Sequence, residues 1–154
     1  MELDKIDLNI LKIMQENGRI TNLQLSQMIG LSPAPTLERV RKLENSGYIK
    51  SYHALVDEEK LGLGIKTFIQ LSLDFHLADT INVFKQEISL IKDVTECHHV
   101  TGQYDFILKV YVKDIKAYEE LIMNKISKIS AVKTFQTLMI LSTSKKEPIV
   151  PLEY

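Results

Sequence analysis

Three stretches of this sequence carry side chains with chemistry to offer. The first is Ser32-Pro33-Ala34-Pro35-Thr36-Leu37-Glu38-Arg39-Val40-Arg41-Lys42. If it is helical, Thr36, Leu37, Val40 and Leu43 point inward, while Ala34, Pro35, Glu38, Arg39, Arg41 and Lys42 point outward or flank that face. Arginine forks onto guanine or phosphate, and lysine suits phosphate. Small Ala34 and Pro35 let a backbone come close to a groove, and Glu38 can accept from a cytosine amine. The second stretch is the turn Thr101-Gly102-Gln103-Tyr104-Asp105. A glycine admits close approach by a ligand, free backbone N–H groups suit a carboxylate, and Asp105 could pair with an ammonium. The same residues equally make an ordinary hairpin turn. The third is Cys97-His98-His99. On a strand the two histidines point to opposite faces. Cys97 and His99 share a face, but two ligands are too few for a closed zinc site, so no metal is expected. His53 and His76 read as ordinary surface or strand residues.

The elements that must position the first stretch have clear signals. Asp4 caps a helix striped by Ile6, Ile10, Leu11, Ile13 and Met14, which Asn17-Gly18 ends. Thr21 and Gln24 form a T-x-x-Q capping box, with Ile20 and Leu25 as its hydrophobic staple. Leu25, Met28 and Ile29 supply the buried face, and Gly30 is a left-handed stop. Ser32 caps the next helix, with Pro33 at its first position; because Pro35 has no N–H, Ser32 can bond only the amide of Ala34. Gly47 closes that helix. Two helices joined by so short a turn make a helix-turn-helix over about residues 22–41, whose second helix would enter the major groove of duplex DNA.

From Tyr48 the period changes. Tyr48–Val56 reads as a strand and Asp57–Gly64 as a hinge. The domains expected are therefore 1–50 for DNA binding, 51–64 as a strand linker and 65–154 as a second domain. That domain alternates strands and helices. A strand carries Ile65, Thr67, Ile69, Leu71 and Leu73 on one face, and Ile81, Phe84, Ile88 and Ile91 stripe a helix. Strands follow at Val94–Thr101 and Phe106–Val112. Asp114 then caps a helix striped by Ile115, Tyr118, Ile122 and Ile126, and Val132–Ser142 is the last strand. The order βαββαβ is that of a ferredoxin-like sandwich, so the fold class is α+β. Both sheet faces carry apolar residues: Phe106, Leu108 and Val110 against Ile107 and Tyr111, and Phe135, Met139 and Leu141 against Leu138 and Ile140. A sheet apolar on both sides needs a second cover, so a second subunit is expected on the bare face.

Bulk properties exclude several classes. The chain has 154 residues, with 45% hydrophobic and 25% charged, ordinary values for a globular protein. No apolar run approaches the ~20 residues that span a bilayer, so no membrane partner is expected. A single cysteine forms no intrachain disulfide, and the reading is cytoplasmic. The net charge of −1 gives no general attraction to nucleic acid, so binding must come from local charge. Phosphate loops and the common hydrolase motifs are missing from the sequence, and no catalytic residue or cofactor is expected.

The segment Gly30-Leu31-Ser32-Pro33-Ala34-Pro35-Thr36-Leu37-Glu38-Arg39-Val40-Arg41-Lys42-Leu43-Glu44 resembles the recognition segment of the Lrp/AsnC regulators, nearer the leucine-responsive branch. Asp4-Lys5-Ile6-Asp7, Gly18-Arg19-Ile20 and Gly47-Tyr48-Ile49-Lys50 resemble that family's opening helix, first turn and entry to the linker. Val100-Thr101-Gly102-Gln103-Tyr104-Asp105 resembles its G-x-x-D turn, and Thr134–Leu141 its final strand. The resemblance implies an N-terminal winged helix-turn-helix followed by a ferredoxin-like effector-binding and oligomerisation domain of the RAM type. It implies homodimers paired sheet against sheet, often gathered into octamers, and an amino-acid effector held where effector domains meet. Thr101, Gly102, Gln103, Tyr104 and Asp105 would line that site, with Thr134, Gln136 and Thr137 nearby. Ser32, Ala34, Pro35, Glu38, Arg39, Arg41 and Lys42 would meet double-stranded DNA, and a dimer would present its two helices about 34 Å apart. Gln103, His98 and His99 depart from the usual pattern. Two other readings are a sirohaem decarboxylase-like enzyme, which shares this fold and would use His98 or His99 around a tetrapyrrole, and a sensing module without DNA contact.

Overall fold

The computed structural model describes residues 2–74 and 78–152, so His76 lies outside the described residues. The chain divides into two compact units, Met1–Leu55 with Lys145–Tyr154, and Val56–Ser144. The first unit holds α1 (Lys5–Glu16), α2 (Asn22–Ile29) and α3 (Pro33–Asn45). Their apolar stripes meet at Ile10, Ile13, Leu25, Val40 and Leu43, the spacing that turns one face of each helix inward. Asp4 caps α1 and Thr21 caps α2, each in a reciprocal box with the residue three positions on, Asp7 and Gln24. Gly30 ends α2 in the left-handed conformation at φ 72°. The segment after Ser144 returns to this unit: the side-chain amide of Gln15 donates to the carbonyl of Val150 at 3.2 Å and accepts its N–H at 2.8 Å. The sequence pattern alone places those residues with the second domain.

The second unit holds β1 (Ile65–Leu73), α4 (Ala78–Ser89), β2 (Val94–His99), β3 (Phe106–Val112), α5 (Ile115–Asn124), a short 3₁₀ turn at Ile126–Lys128, and β4 (Val132–Met139). The strands lie in the order β2-β3-β1-β4, with every neighbour antiparallel. This is the ferredoxin-like arrangement. Ile69, Leu71, Leu73, Leu108 and Val110 face the helices and pack on Phe84, Ile88, Leu121 and Ile122. The rings of Phe84 and Phe106 lie 4.6 Å apart, and His99 stacks on Phe106 at 4.5 Å.

Several expectations are corrected. Tyr48–Val56 forms no strand: a strand needs a neighbour for its backbone groups, and this unit offers none. Tyr52 instead donates its hydroxyl to Glu44 at 2.8 Å; burial, then that carboxylate, push its pKa up to about 12. Strands β2 and β4 end earlier than expected, and Leu141 is 96% exposed. Of the stripe expected for α5, Ile122 and Ile126 are buried but Ile115 is exposed, and Leu121 joins the buried face. The bare sheet face is mixed. Cross-strand register places Phe68, Ile107, Tyr111 and Leu138 there with Lys66, Gln70, Lys109, Glu96, His98 and Gln136. Lys109 meets Glu96 at 2.6 Å and His98 meets it at 3.2 Å. The Lys109 ammonium holds the Glu96 carboxyl below the usual range.

Because Phe106 fills the centre of the sandwich, Phe106→Ala is expected to lower the stability of the Val56–Ser144 unit by about 3–5 kcal/mol. Denaturant unfolding of the full chain measures this.

Candidate DNA-reading helix and effector turn

The start of α3 is set by local chemistry. Gly30 turns the chain, and the N–H of Leu31 donates back to the carbonyl of Ser26 at 3.0 Å. The amide of Asn22, at the start of α2, donates to the carbonyl of Pro33 at 2.7 Å, tying the two helix starts together. Ser32 makes no side-chain cap bond, contrary to expectation. Two prolines in the first turn remove amides that a cap would serve. The Ser32 carbonyl accepts instead, from the hydroxyl of Thr36 at 2.9 Å.

The orientation of α3 differs from the wheel drawn from the sequence. Thr36, Val40 and Leu43 are buried, and Ser32, Ala34, Glu38, Arg41 and Lys42 are exposed as expected. Pro35 and Arg39, expected outward, are half-buried, while Leu37, expected inward, is exposed. The reason is an ion pair. Arg39 Nη1 lies 2.7 Å from Asp4 Oδ2 and 2.7 Å from Asp7 Oδ1. Asp7 is only 2% exposed. The capping box of α1 is thus also a two-carboxylate clamp on α3. Arg39 is therefore held against α1. The Asp7 N–H, then Arg39, hold the Asp4 carboxyl below its usual range, and Asp4 first, then Asp7, raise Arg39. The sequence carries one signal for the clamp, an acidic residue at both the cap and the third helical position, which by itself reads as a cap alone.

In the second unit the turn between β2 and β3 is fastened at both ends. Val100 N–H donates to Asp105 O at 2.9 Å, and Asp105 N–H donates to Leu71 O at 3.0 Å. Asp105 Oδ2 accepts the N–H of Leu73 at 2.8 Å. That carboxylate oxygen extends the ladder to β1. Gly102 adopts φ 120°, with nothing within 4 Å of where a Cβ would stand. Its need for glycine is conformational. Thr101, Gly102 and Gln103 are exposed and Tyr104 is half-buried.

The turn does reach β4. The hydroxyl of Tyr104 donates to Gln136 Oε1 at 2.7 Å. Thr134 and Gln136 lie opposite Ser72 and Gln70 on the bare face. Thr137 lies opposite Ile69 on the helix face, where its hydroxyl bonds that of Tyr118. The structure therefore brings Tyr104, Gln136 and Thr134 to one face and separates Thr137 from them. Elsewhere a cavity of about 450 Å³ opens between α4 and β2, lined by Lys85, Cys97, His99 and Phe106 among others. Burial pushes the Cys97 thiol up.

A model of the winged helix-turn-helix DNA-binding domain matches residues 3–50, and a model of the Lrp/AsnC ligand-binding domain matches residues 66–150. Together with the folded elements, these define a DNA-binding transcription regulator with a separate ligand-binding domain. The chain belongs to the Lrp/AsnC family. It is 36% identical over 145 residues to the leucine-responsive regulatory protein of Klebsiella pneumoniae, covering 94% of this chain and 88% of that one, and equally to that of Escherichia coli K12. Among solved structures, a transcriptional regulator of Neisseria meningitidis in complex with L-methionine superposes with TM-score 0.93 at 32% identity, covering 98% of this chain and 97% of that one. AsnC of E. coli superposes with TM-score 0.89 at 27% identity, covering 98% and 100%. These relatives carry the names of regulators, not of enzymes. No helix among the described residues is long and apolar enough to cross a membrane.

Three outcomes follow. Arg39→Ala is expected to weaken DNA binding without changing its salt dependence, because a residue that positions a helix releases no counterions. Arg41→Ala is expected to flatten the plot of log affinity against log salt by about 0.9 for each phosphate it no longer neutralises. Titrations at several salt concentrations separate the two. The depressed Asp4 carboxyl stabilises the fold fully above its ordinary value of 3.8 and loses that contribution as pH falls toward the lowered folded value. Thermal melts between pH 6 and pH 3 are expected to fall less steeply for Asp4→Asn than for the unchanged protein.

Proposed function

We propose that this regulator binds its DNA sites through the exposed face of α3 and that a small amino acid, held at the β2–β3 turn, modulates that binding. Ser32, Ala34, Glu38, Arg41 and Lys42 face the DNA, with Pro35 at the edge and Arg39 behind them. The assignment of residues 1–50 to DNA binding, 51–64 to a linker and 65–154 to effector binding and assembly belongs to the same reading. The observation that carries the effector assignment is the bond from Tyr104 to Gln136. It joins the exposed Thr101-Gly102-Gln103 segment to β4 beside Thr134, placing backbone N–H groups and neutral side-chain polar atoms together. Such groups suit a zwitterion's carboxylate. Asp105 sets the shape of that turn. The solved complex of the Neisseria regulator with L-methionine supports an amino acid as the ligand class.

The mixed sheet face supports a homodimer. Phe68 and Leu138 stand exposed there between polar neighbours, and a second copy would cover them. The family likeness extends this to rings of dimers such as an octamer, in which the effector would alter assembly and so the spacing of the two recognition helices. Nothing in this reading requires a cofactor beyond the amino acid, and the site belongs to a cytoplasmic regulator.

The test is a gel-shift titration on DNA upstream of the protein's own gene, at fixed salt, with and without a panel of amino acids. A specific shift that one amino acid changes is the expected result, with Tyr104→Phe and Gln136→Ala keeping the shift and losing the response. A specific shift that no amino acid alters, or a response that survives both substitutions, would move the effector away from this turn.

A further inference from the structure

We infer that Leu37 reads a thymine methyl group in the major groove, which makes it a specificity-determining residue of the recognition helix. The inference deepens the DNA-binding reading above and rests on it. Leu37 is 39% exposed on a helix whose core positions, Thr36, Val40 and Leu43, are buried without it. Arg39 is drawn to Asp4 and Asp7, and Leu37 lies on the opposite flank of the helix, partly exposed. Along that side Ala34, Leu37, Glu38 and Arg41 follow the spacing i, i+3, i+4 and i+7, the pattern of one helix face. An apolar side chain thus stands one turn ahead of a cationic one that can hold the DNA.

The chemistry of the groove then selects the partner. Guanine, adenine and cytosine are distinguished on their major-groove edges by hydrogen-bonding groups, and thymine alone adds a methyl, at C5. Leucine can bond none of the polar groups. Pressed against them, it would strip their water without compensation, at a cost in affinity. Against the methyl it buries apolar surface on both sides. Ala34, one turn earlier, is too small to block that contact.

The experiment replaces thymines one at a time by deoxyuridine, which lacks only the methyl. The DNA is a high-affinity duplex selected in vitro with the full-length protein. At one position in each half-site, the replacement is expected to weaken binding of the unchanged protein about fourfold, the worth of one methyl group withdrawn from water. At that position Leu37→Ala is expected to bind thymine and deoxyuridine alike, and Leu37→Met to keep most of the discrimination. Melting curves of the variants, at an exposed position, are expected to match the unchanged protein. If the protein shifts DNA specifically but thymine and deoxyuridine sites respond equally in both proteins at every position, the Leu37 assignment is overturned while DNA binding stands. A Leu37→Ala protein that keeps its methyl sensitivity but changes its assembly mass without DNA would overturn it too, placing Leu37 at a contact between copies. Failure of the unchanged protein to select or shift any DNA overturns the binding reading itself, and this inference with it.

Discussion

The clamp of Asp4 and Asp7 on Arg39 is the interaction on which the DNA-binding unit turns. A three-helix bundle this small has a core of five buried apolar side chains, and such a core sets the distance between helices better than it sets their rotation. Apolar contacts have no direction. A guanidinium between two carboxylates does. The clamp ties one flank of α3 to the start of α1, while Thr36, Val40 and Leu43 face the core. Asp7 is buried, so removal of Arg39 would leave its carboxylate without its cation in a low-dielectric place. The same two acids also cap α1, so the start of one helix and the rotation of another are set by one pair of side chains.

A comparable economy appears in the second unit. Asp105 closes the β2–β3 turn against Leu73 and Leu71, and Tyr104 then reaches across to Gln136. The turn is held at its base by charge-assisted and backbone bonds, while Thr101, Gly102 and Gln103 stay exposed. A rigid base with an exposed tip is what a small polar ligand needs, since little ordering remains to be done on binding. The residues that fasten the turn and those left exposed at its tip are therefore different ones, although they stand together in the sequence.

The two faces of the sheet differ in character. One face meets α4 and α5 through a continuous apolar layer. The other alternates apolar and charged positions, with Lys109, Glu96 and His98 already paired among themselves. Such a face can stand in water alone and still complement a copy of itself.

The sequence by itself determined the elements and their order. The capping pairs at Thr21 and Gln24, the left-handed Gly30 and the change from helical to alternating periodicity after Tyr48 are local signals, each fixed by backbone geometry within a few residues. They sufficed for the helix-turn-helix, for the βαββαβ order and for the Gly102 turn. What only the tertiary structure decided is which way side chains point once elements meet. Arg39 turned inward because two acids thirty-five and thirty-two positions earlier lie beside it. Leu37 is exposed on the opposite flank. Thr137 parted from Gln136 because adjacent strand residues take opposite faces and only the register with β1 says which. Tyr48–Val56 formed no strand because strand propensity cannot supply a neighbouring strand. Hydrophobic period and capping are written along the chain, whereas ion pairs and register depend on residues far apart in sequence, and only the folded chain brings these together.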